Sequence, residues 1–321
     1  MATARSTLSL KSFGIAMMAM FAGFGAADAA APVRMELRKI ADNVYLMQHP
    51  TGSSNSMFVV TDAGVFVWDG DIRTADQVFA GIRRTTDKKI IYHAISHPAG
   101  DHATGGWHFR QDRPIIIGTR TQAKSLAAEE LEEFTTRKRS NDALYAPYHN
   151  SELVQPDITF DGSLTIRFGG LTFVLTEEGA AHSTSDVSLY IPEKRIFAMG
   201  DLFKSEIHTG PGDTAYRTFR AGKPFMEIAE KVMARRLPVE TYVPGHGPAH
   251  VGRGAADLQE LNRYFAAMRD EVSKMIRAGK TEQQVVAEFK MPAPFDKYGQ
   301  AAGINRFLPL YYRDLKAEGV R

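Results

Sequence analysis

Three side chains able to hold a metal ion fall close together in Ser96-His97-Pro98-Ala99-Gly100-Asp101-His102-Ala103-Thr104-Gly105-Gly106: His97, Asp101 and His102. Imidazole and carboxylate are ordinary ligands for zinc and other divalent ions. The residues before them, Ile90–Ser96, are apolar and β-compatible and read as a strand. The candidates therefore sit where a strand ends, and a loop there can turn all three toward one point. Thr104, Gly105 and Gly106 permit a tight turn into a short helix.

Three later positions match this pattern. His182 follows the predicted strand Leu171–Glu177, Asp201 follows Arg195–Met199, and His246 follows Thr241–Val243. Small residues flank each one, in Gly179-Ala180-Ala181-His182, Gly200-Asp201 and Gly245-His246-Gly247. Strand ends along one edge of a sheet open on one cleft, so the four segments can meet there. The chain has no cysteine. That excludes thiolate zinc sites, disulfides and a cysteine nucleophile. Any metal must be held by imidazole and carboxylate.

Such a centre points to hydrolysis. Bound zinc lowers the pKa of its water to about 7, which supplies hydroxide at neutral pH. Asp101 can ligate the metal and orient that hydroxide through its free oxygen, so it is the candidate catalytic residue. No covalent intermediate is expected. The other histidines lack motif support. His93 lies within a strand and reads as packing or as a residue behind the site. His108 lies in the short helix, and His49, His149 and His250 stand alone. His208 reads as a surface-loop residue.

The bulk numbers set the frame. The 321 residues suffice for one large α/β domain or two small ones. Hydrophobic residues at 44% and charged residues at 24% fit a globular protein and argue against a disordered chain. Lys+Arg 39 against Asp+Glu 37 leaves no basic surface for nucleic acid. At the N-terminus, Arg5 and Lys11 precede the apolar stretch Phe13–Phe24 and the Ala27-Asp28-Ala29 site. Residues 1–29 are therefore expected to be a cleaved signal peptide, with the mature protein periplasmic or secreted and free of the membrane.

The elements that must position the candidates alternate in type. Met35–Lys39, Val44–Gln48, Ser56–Val60 and Val65–Trp68 read as strands, Thr74–Thr86 as a helix, and Pro114–Ile117 as a strand after the motif. One polar helix is expected from about Thr121 to Arg139, then a loop over 142–156. Strands follow at Ile158–Phe160, Leu164–Phe168, Leu171–Glu177, Val187–Ile191 and Arg195–Met199. Helices close the chain at Pro224–Arg236, Ala255–Ala278 and Gly303–Lys316. Leu258, Leu261, Phe265, Met268, Val272 and Met275 form a heptad-like stripe. It reads as an apolar face docked on the domain body, with a homodimer through these helices as the alternative. Two packed sheets with helices outside account for the whole.

Over about residues 34–250 the chain resembles the metallo-β-lactamase superfamily. The family pattern is His-x-His-x-Asp-His, a Gly-x-x-His segment, a strand-end Asp and a final Gly-His-Gly, and all four segments occur in order. The resemblance implies a four-layer αββα sandwich over residues 33–250, with the metals at the sandwich edge. A helical extension over 251–321 would pack on it. One departure stands out: Ala99 occupies the place of the family's second histidine. Carried over position by position, a first zinc site keeps His97, His182 and Asp201 but loses one imidazole. A second keeps Asp101, His102, His246 and the shared Asp201. One or two zinc ions are implied, the second site being the fuller. The resemblance also makes Asp69 a carboxylate that holds the ligand loop, against a plain strand-end turn residue.

The expected substrate is a small molecule with an ester, lactone, thioester, lactam or sulfate-type bond. The bridging Asp201 looks more like the thioesterase, lactonase and sulfatase branches than the antibiotic-hydrolysing one. Trp107, Tyr145, Tyr148, Phe203 and Tyr216 read as pocket walls or as packing. Two other readings compete. His97, His182 and Asp201 form a two-His-one-carboxylate set that suits a mononuclear non-haem iron oxygenase. A non-catalytic metal-binding relative is the third.

Overall fold

The computed structural model describes residues 34–50, 53–212 and 219–321. The expected signal segment and Tyr216 lie outside them. Seven strands form the first sheet: β1 (Glu36–Ala41), β2 (Val44–Gln48), β3 (Ser56–Thr61), β4 (Gly64–Trp68), β5 (Ile90–Ala94), β6 (Ile115–Thr119) and β7 (Ile158–Phe160), neighbours in that order. Five form the second: β8 (Ser163–Phe168), β9 (Leu171–Gly179), β10 (Asp186–Ile191), β11 (Ile196–Ala198) and β12 (Thr241–Val243), ordered β12-β11-β10-β9-β8. The helices are α1 (Ala75–Thr85), α2 (Gly100–Ala103), α3 (Gly106–Phe109), α4 (Arg120–Leu126), α5 (Glu129–Arg139), α6 (Lys223–Ala234), α7 (Ala256–Arg277), α8 (Glu282–Glu288) and α9 (Ala301–Ala317).

Strand periodicity sorts the apolar side chains into layers. On β3 and β4, Met57, Val59, Phe66 and Trp68 face the second sheet. Phe58, Val65 and Val67 face outward onto α1 through Val78 and Ile82. In the second sheet, Val187, Leu189, Ile196 and Val243 point inward. Tyr190, Phe197 and Tyr242 point out under α6, α7 and α9. Phe66 and Phe173 stack across the two sheets with ring centroids 4.3 Å apart. Each is fully buried, and burying a side chain of that size stabilises by roughly 1.5–3 kcal/mol. The result is the expected αββα sandwich with a C-terminal helical region. The α7 stripe Leu258, Leu261, Phe265, Met268 and Val272 is buried within the chain, in one cluster with residues of α6 and α9.

Two details depart from the sequence expectation. The single helix over 121–139 is two helices, α4 and α5, broken at Ala128 with φ −125° and ψ −100°. Nothing in that Ala- and Glu-rich stretch marks a break. It is set by burial on either side, Leu126 packing beside Ile95 and Ala103, and Phe134 beside Ile72 and Tyr148. Helix α8 also had no place in the periodicity, although Thr281 and Gln284 form a capping box at its start. Among the described residues no helix is long and apolar enough to cross a membrane.

Parallel pairing aims the strand ends. β4 and β5 pair in parallel with Trp68 beside Ala94, and β11 and β12 with Ala198 beside Val243. Asp69, Ser96-His97, Asp201 and His246 therefore leave their sheets from the same ends. The sheets are joined there by backbone bonds: the Val187 amide donates to the Ser96 carbonyl at 2.8 Å, and the Asn55 amide to the Gly245 carbonyl at 2.7 Å.

Candidate metal centre

Each candidate side chain is held by its own local device. Helix α2 lies against the end of β4: the Gly70 amide donates to the His102 carbonyl at 2.8 Å and the Gly105 amide to the Gly70 carbonyl at 2.7 Å. A Cβ on Gly105 would run into the Gly70 backbone, so this approach needs glycine. The His182 loop wraps around Asp186. Its Oδ2 accepts the Ala181 and His182 amides at 2.9 and 2.8 Å, and its Oδ1 accepts the Ser183 amide at 3.0 Å. The turn at His246 is clamped by Asn55, whose Nδ2 donates to the Pro244 and Gly247 carbonyls at 3.1 and 2.8 Å.

The six predicted ligands meet. His102 Nε2 lies 3.2 Å from Asp201 Oδ1, 3.6 Å from Asp101 Oδ2 and 3.3 Å from His246 Nε2. His246 Nε2 lies 3.2 Å from Asp201 Oδ1 and 3.4 Å from Asp101 Oδ2. On the other side, Asp201 Oδ2 lies 3.2 Å from His182 Nε2 and 4.0 Å from His97 Nε2. The two oxygens of Asp201 thus serve two halves of one cluster. Donor atoms in a tetrahedral shell about 2.0–2.1 Å from zinc stand roughly 3.3–3.4 Å apart. The spacings of His102 and His246 to each other, to Asp201 Oδ1 and to Asp101 Oδ2 are close to that value, and the half around His97 and His182 is looser.

The tautomers agree with ligation. His102 Nδ1 is 3.0 Å from Asp69 Oδ2, and His182 Nδ1 is 2.9 Å from the Gly210 carbonyl, which only an N–H can serve. Both rings therefore turn the Nε2 lone pair to the cluster. His97 Nδ1 meets Ser96 Oγ at 2.9 Å, while its buried Nε2 has no hydrogen-bond partner. The charges are strongly coupled. Burial pushes the His97 imidazole well below its ordinary pKa, and His102 adds to the shift. Burial opposes protonation of His102 too, but the carboxylates of Asp201, Asp101 and Asp69 raise it well above the ordinary value. Asp201 stays well below the usual carboxylate range despite its burial, because His246, Lys204, His102 and His182 surround it. A cation in the cluster would take the place of the proton on His102.

Sequence reading missed Lys204, whose Nζ is 2.8 Å from Asp201 Oδ2. Its spacing of three from Asp201 was the available signal. Asp186 and Asn55 were missed as well, since side chains that bind backbone leave no motif. The remaining histidines stand outside the ligand groups. His93 is buried edge-on to Phe109, with both ring nitrogens unpartnered. His208 borders the cleft with Nδ1 3.3 Å from Tyr264 Oη.

A cavity of about 240 Å³ opens over the cluster. Arg137, Lys204, Arg306, Glu130 and Glu133 give it charge, and Phe307 and Pro211 give it an apolar wall. Of the two readings given to the loop aromatics, packing holds for those that are described, and none of Trp107, Tyr145, Tyr148 and Phe203 borders this cavity. Trp107, Tyr145 and Tyr148 pack with Phe134, and Phe203 sits in the helical core.

The profile of a protein family described as the metallo-beta-lactamase superfamily matches residues 49–246. Among solved structures, the chain is similar to the stereoselective inverting sec-alkylsulfatase Pisa1 from Pseudomonas sp., with 14% identity and a TM-score of 0.65, over 87% of this chain and 50% of that one. It is also similar to a metallo-beta-lactamase from Pontibacter korlensis, with 19% identity and a TM-score of 0.56, over 73% of this chain and 99% of that one. The DIM-1 metallo-beta-lactamase gives 16% identity and a TM-score of 0.56, over 73% and 97%. The chain thus spans about half the length of the alkylsulfatase. A likeness ending at residue 250 could not cover 87% of 321 residues, so the alkylsulfatase match extends into the C-terminal helices.

Proposed function

The chain belongs to the metallo-beta-lactamase superfamily, and from that premise we propose that it is a zinc-dependent hydrolase whose ion is held by Asp101, His102, Asp201 and His246. One observation carries the reading: His102 Nε2 and His246 Nε2 stand 3.3 Å apart, and each lies 3.2–3.6 Å from both Asp201 Oδ1 and Asp101 Oδ2, the donor spacing of a tetrahedral shell. Zinc suits a set of imidazoles and carboxylates, and when bound it supplies Lewis acidity and an acidified water near pH 7.

The chain's own residues do the rest. Asp69 keeps the proton on His102 Nδ1 and so keeps Nε2 available. Asp101 turns Oδ2 toward His102 and His246, and its side chain is 27% exposed to the cleft. Its second oxygen is the group to orient the attacking water and accept its proton. Arg137, Lys204 and Arg306 around the cleft support a substrate whose reacting group carries or develops negative charge, an ester, lactone, thioester, lactam or sulfate ester. Iron on His97, His182 and Asp201 would leave the tighter group of donors idle. Export through residues 1–29 remains part of this proposal, and N-terminal sequencing of protein recovered from a bacterial periplasm tests it.

The experiment is elemental analysis of the purified protein, followed by a panel of aryl and alkyl sulfates, lactones, thioesters, aryl esters and nitrocefin. Zinc, with hydrolysis of one class that falls about 10²–10⁴-fold in Asp101→Asn, supports the reading. Iron with O₂ uptake, or hydrolysis untouched by Asp101→Asn, overturns it.

A further inference from the structure

The geometry points to Lys204 as the resident cation of the half-site that Ala99 leaves one imidazole short, so that the chain takes one metal ion rather than two. This rests on the metal reading above.

Asp201 Oδ1 belongs to the tight group with His102 and His246. Its Oδ2 faces a poorer one, His182 at 3.2 Å and His97 at 4.0 Å. Ala99 borders the same cavity and brings no donor to it. Lys204 Nζ reaches Oδ2 at 2.8 Å, nearer than either imidazole, with a side chain only 13% exposed. It is not on a loose loop: the backbone at Lys204 bridges to His246, and the Ser205 amide donates to the His246 carbonyl at 3.0 Å.

A divalent ion sharing Oδ2 would lie within a few Å of an ammonium whose side chain is largely buried, where like charges repel more strongly than in open solvent. The ammonium already supplies the charge that Asp201 needs on that side. With one N–H on Asp201, Lys204 keeps two donors for the cleft it borders. A substrate oxygen that gains charge as its bond breaks is the natural acceptor, so Lys204 stands where a second ion would otherwise polarise the substrate. His97 Nε2 is buried in that half without a hydrogen-bond partner.

Zinc per chain is measured by elemental analysis after equilibrium dialysis, and calorimetry follows each ion. The proteins are the wild type, Ala99→His, Ala99→His with Lys204→Met, and Ala99→His with Lys204→Arg, each checked for folding by circular dichroism. One ion is expected in the wild type, in Ala99→His and in the Arg variant, and two in the Met variant. The second ion should bind at least about tenfold more tightly in the Met variant than in Ala99→His alone. Two ions in the wild type, a second gained by Ala99→His alone, or one in the Met variant overturns the assignment of Lys204 and leaves the hydrolase reading standing. No ion in any of them overturns both.

Discussion

Asp69 Oδ2 lies 3.0 Å from His102 Nδ1 while its Oδ1 accepts the Ser96 amide at 2.6 Å. One buried carboxylate therefore fixes both the start of the His97 loop and the tautomer of His102. Asp69 adopts φ 59°, a left-handed conformation that Asn also tolerates. Asp69→Asn should keep the backbone but can present an amide N–H to His102 Nδ1, driving the ring proton onto Nε2. Zinc affinity, measured by competition with a chelator, is expected to fall about 10–100-fold with the fold intact. Unchanged affinity would show that Asp69 serves only the turn.

Asp201 depends on a neighbour with no side chain. A Cβ on Gly245 would collide with Asp201 Oδ1 and with the Gly200 backbone, whose carbonyl the Gly245 amide binds at 2.8 Å. Gly245→Ala should move the carboxylate off its imidazoles. The expected outcome is loss of stoichiometric zinc, read by elemental analysis, with a far-UV spectrum like that of the wild type. Full zinc occupancy in Gly245→Ala would mean that Asp201 is not needed where it stands.

His93 makes folding sensitive to acid away from the cluster. Burial lowers its pKa from 6.5 to about 3. Between those values the unfolded chain binds a proton that the folded chain refuses. Stability is therefore lost as pH falls through this window, by at most about 1.4 kcal/mol per pH unit from this group. His93→Leu keeps the packing on Phe109 and removes the proton site. Urea unfolding of metal-free protein from pH 7 to pH 4 should show a shallower acid slope for the variant. Parallel slopes would rule His93 out.

Glu178 anchors α6 to the second sheet. Its side chain is fully buried, its Oε1 accepts from Ser188 Oγ at 2.7 Å and from Arg235 Nη1 at 2.8 Å, and Lys231 Nζ lies 3.5 Å from Oε2. Glu178→Ala leaves Arg235 without its partner. A loss of about 2–3 kcal/mol is expected, below the range for a wholly buried pair because Arg235 is a quarter exposed. A lower urea midpoint at constant slope checks it.

The candidate ligands were legible in the sequence because each of their segments follows a strand and carries small residues beside the candidate. The sandwich followed from residues that alternate faces, such as Phe58 against Met57 and Val59. What stayed hidden depends on contacts between distant segments. Lys204 matters because the chain returns beside His246, and Asn55 because its amide crosses to Pro244 and Gly247. The break at Ala128 is likewise set by burial and carries no local mark.

The seat of Phe307 ties the end of the chain to its chemistry. Its ring lies so close to Gly210 that any side chain there would strike it, and the Gly210 carbonyl is what His182 Nδ1 donates to. Gln300, Gly303 and Arg306 border the same cavity, well past the region of the family match. Part of the cavity rim is therefore written in a stretch separate from the segments that carry the candidate ligands. Swapping that stretch between relatives would be the direct way to exchange preference while leaving the reactive atoms alone.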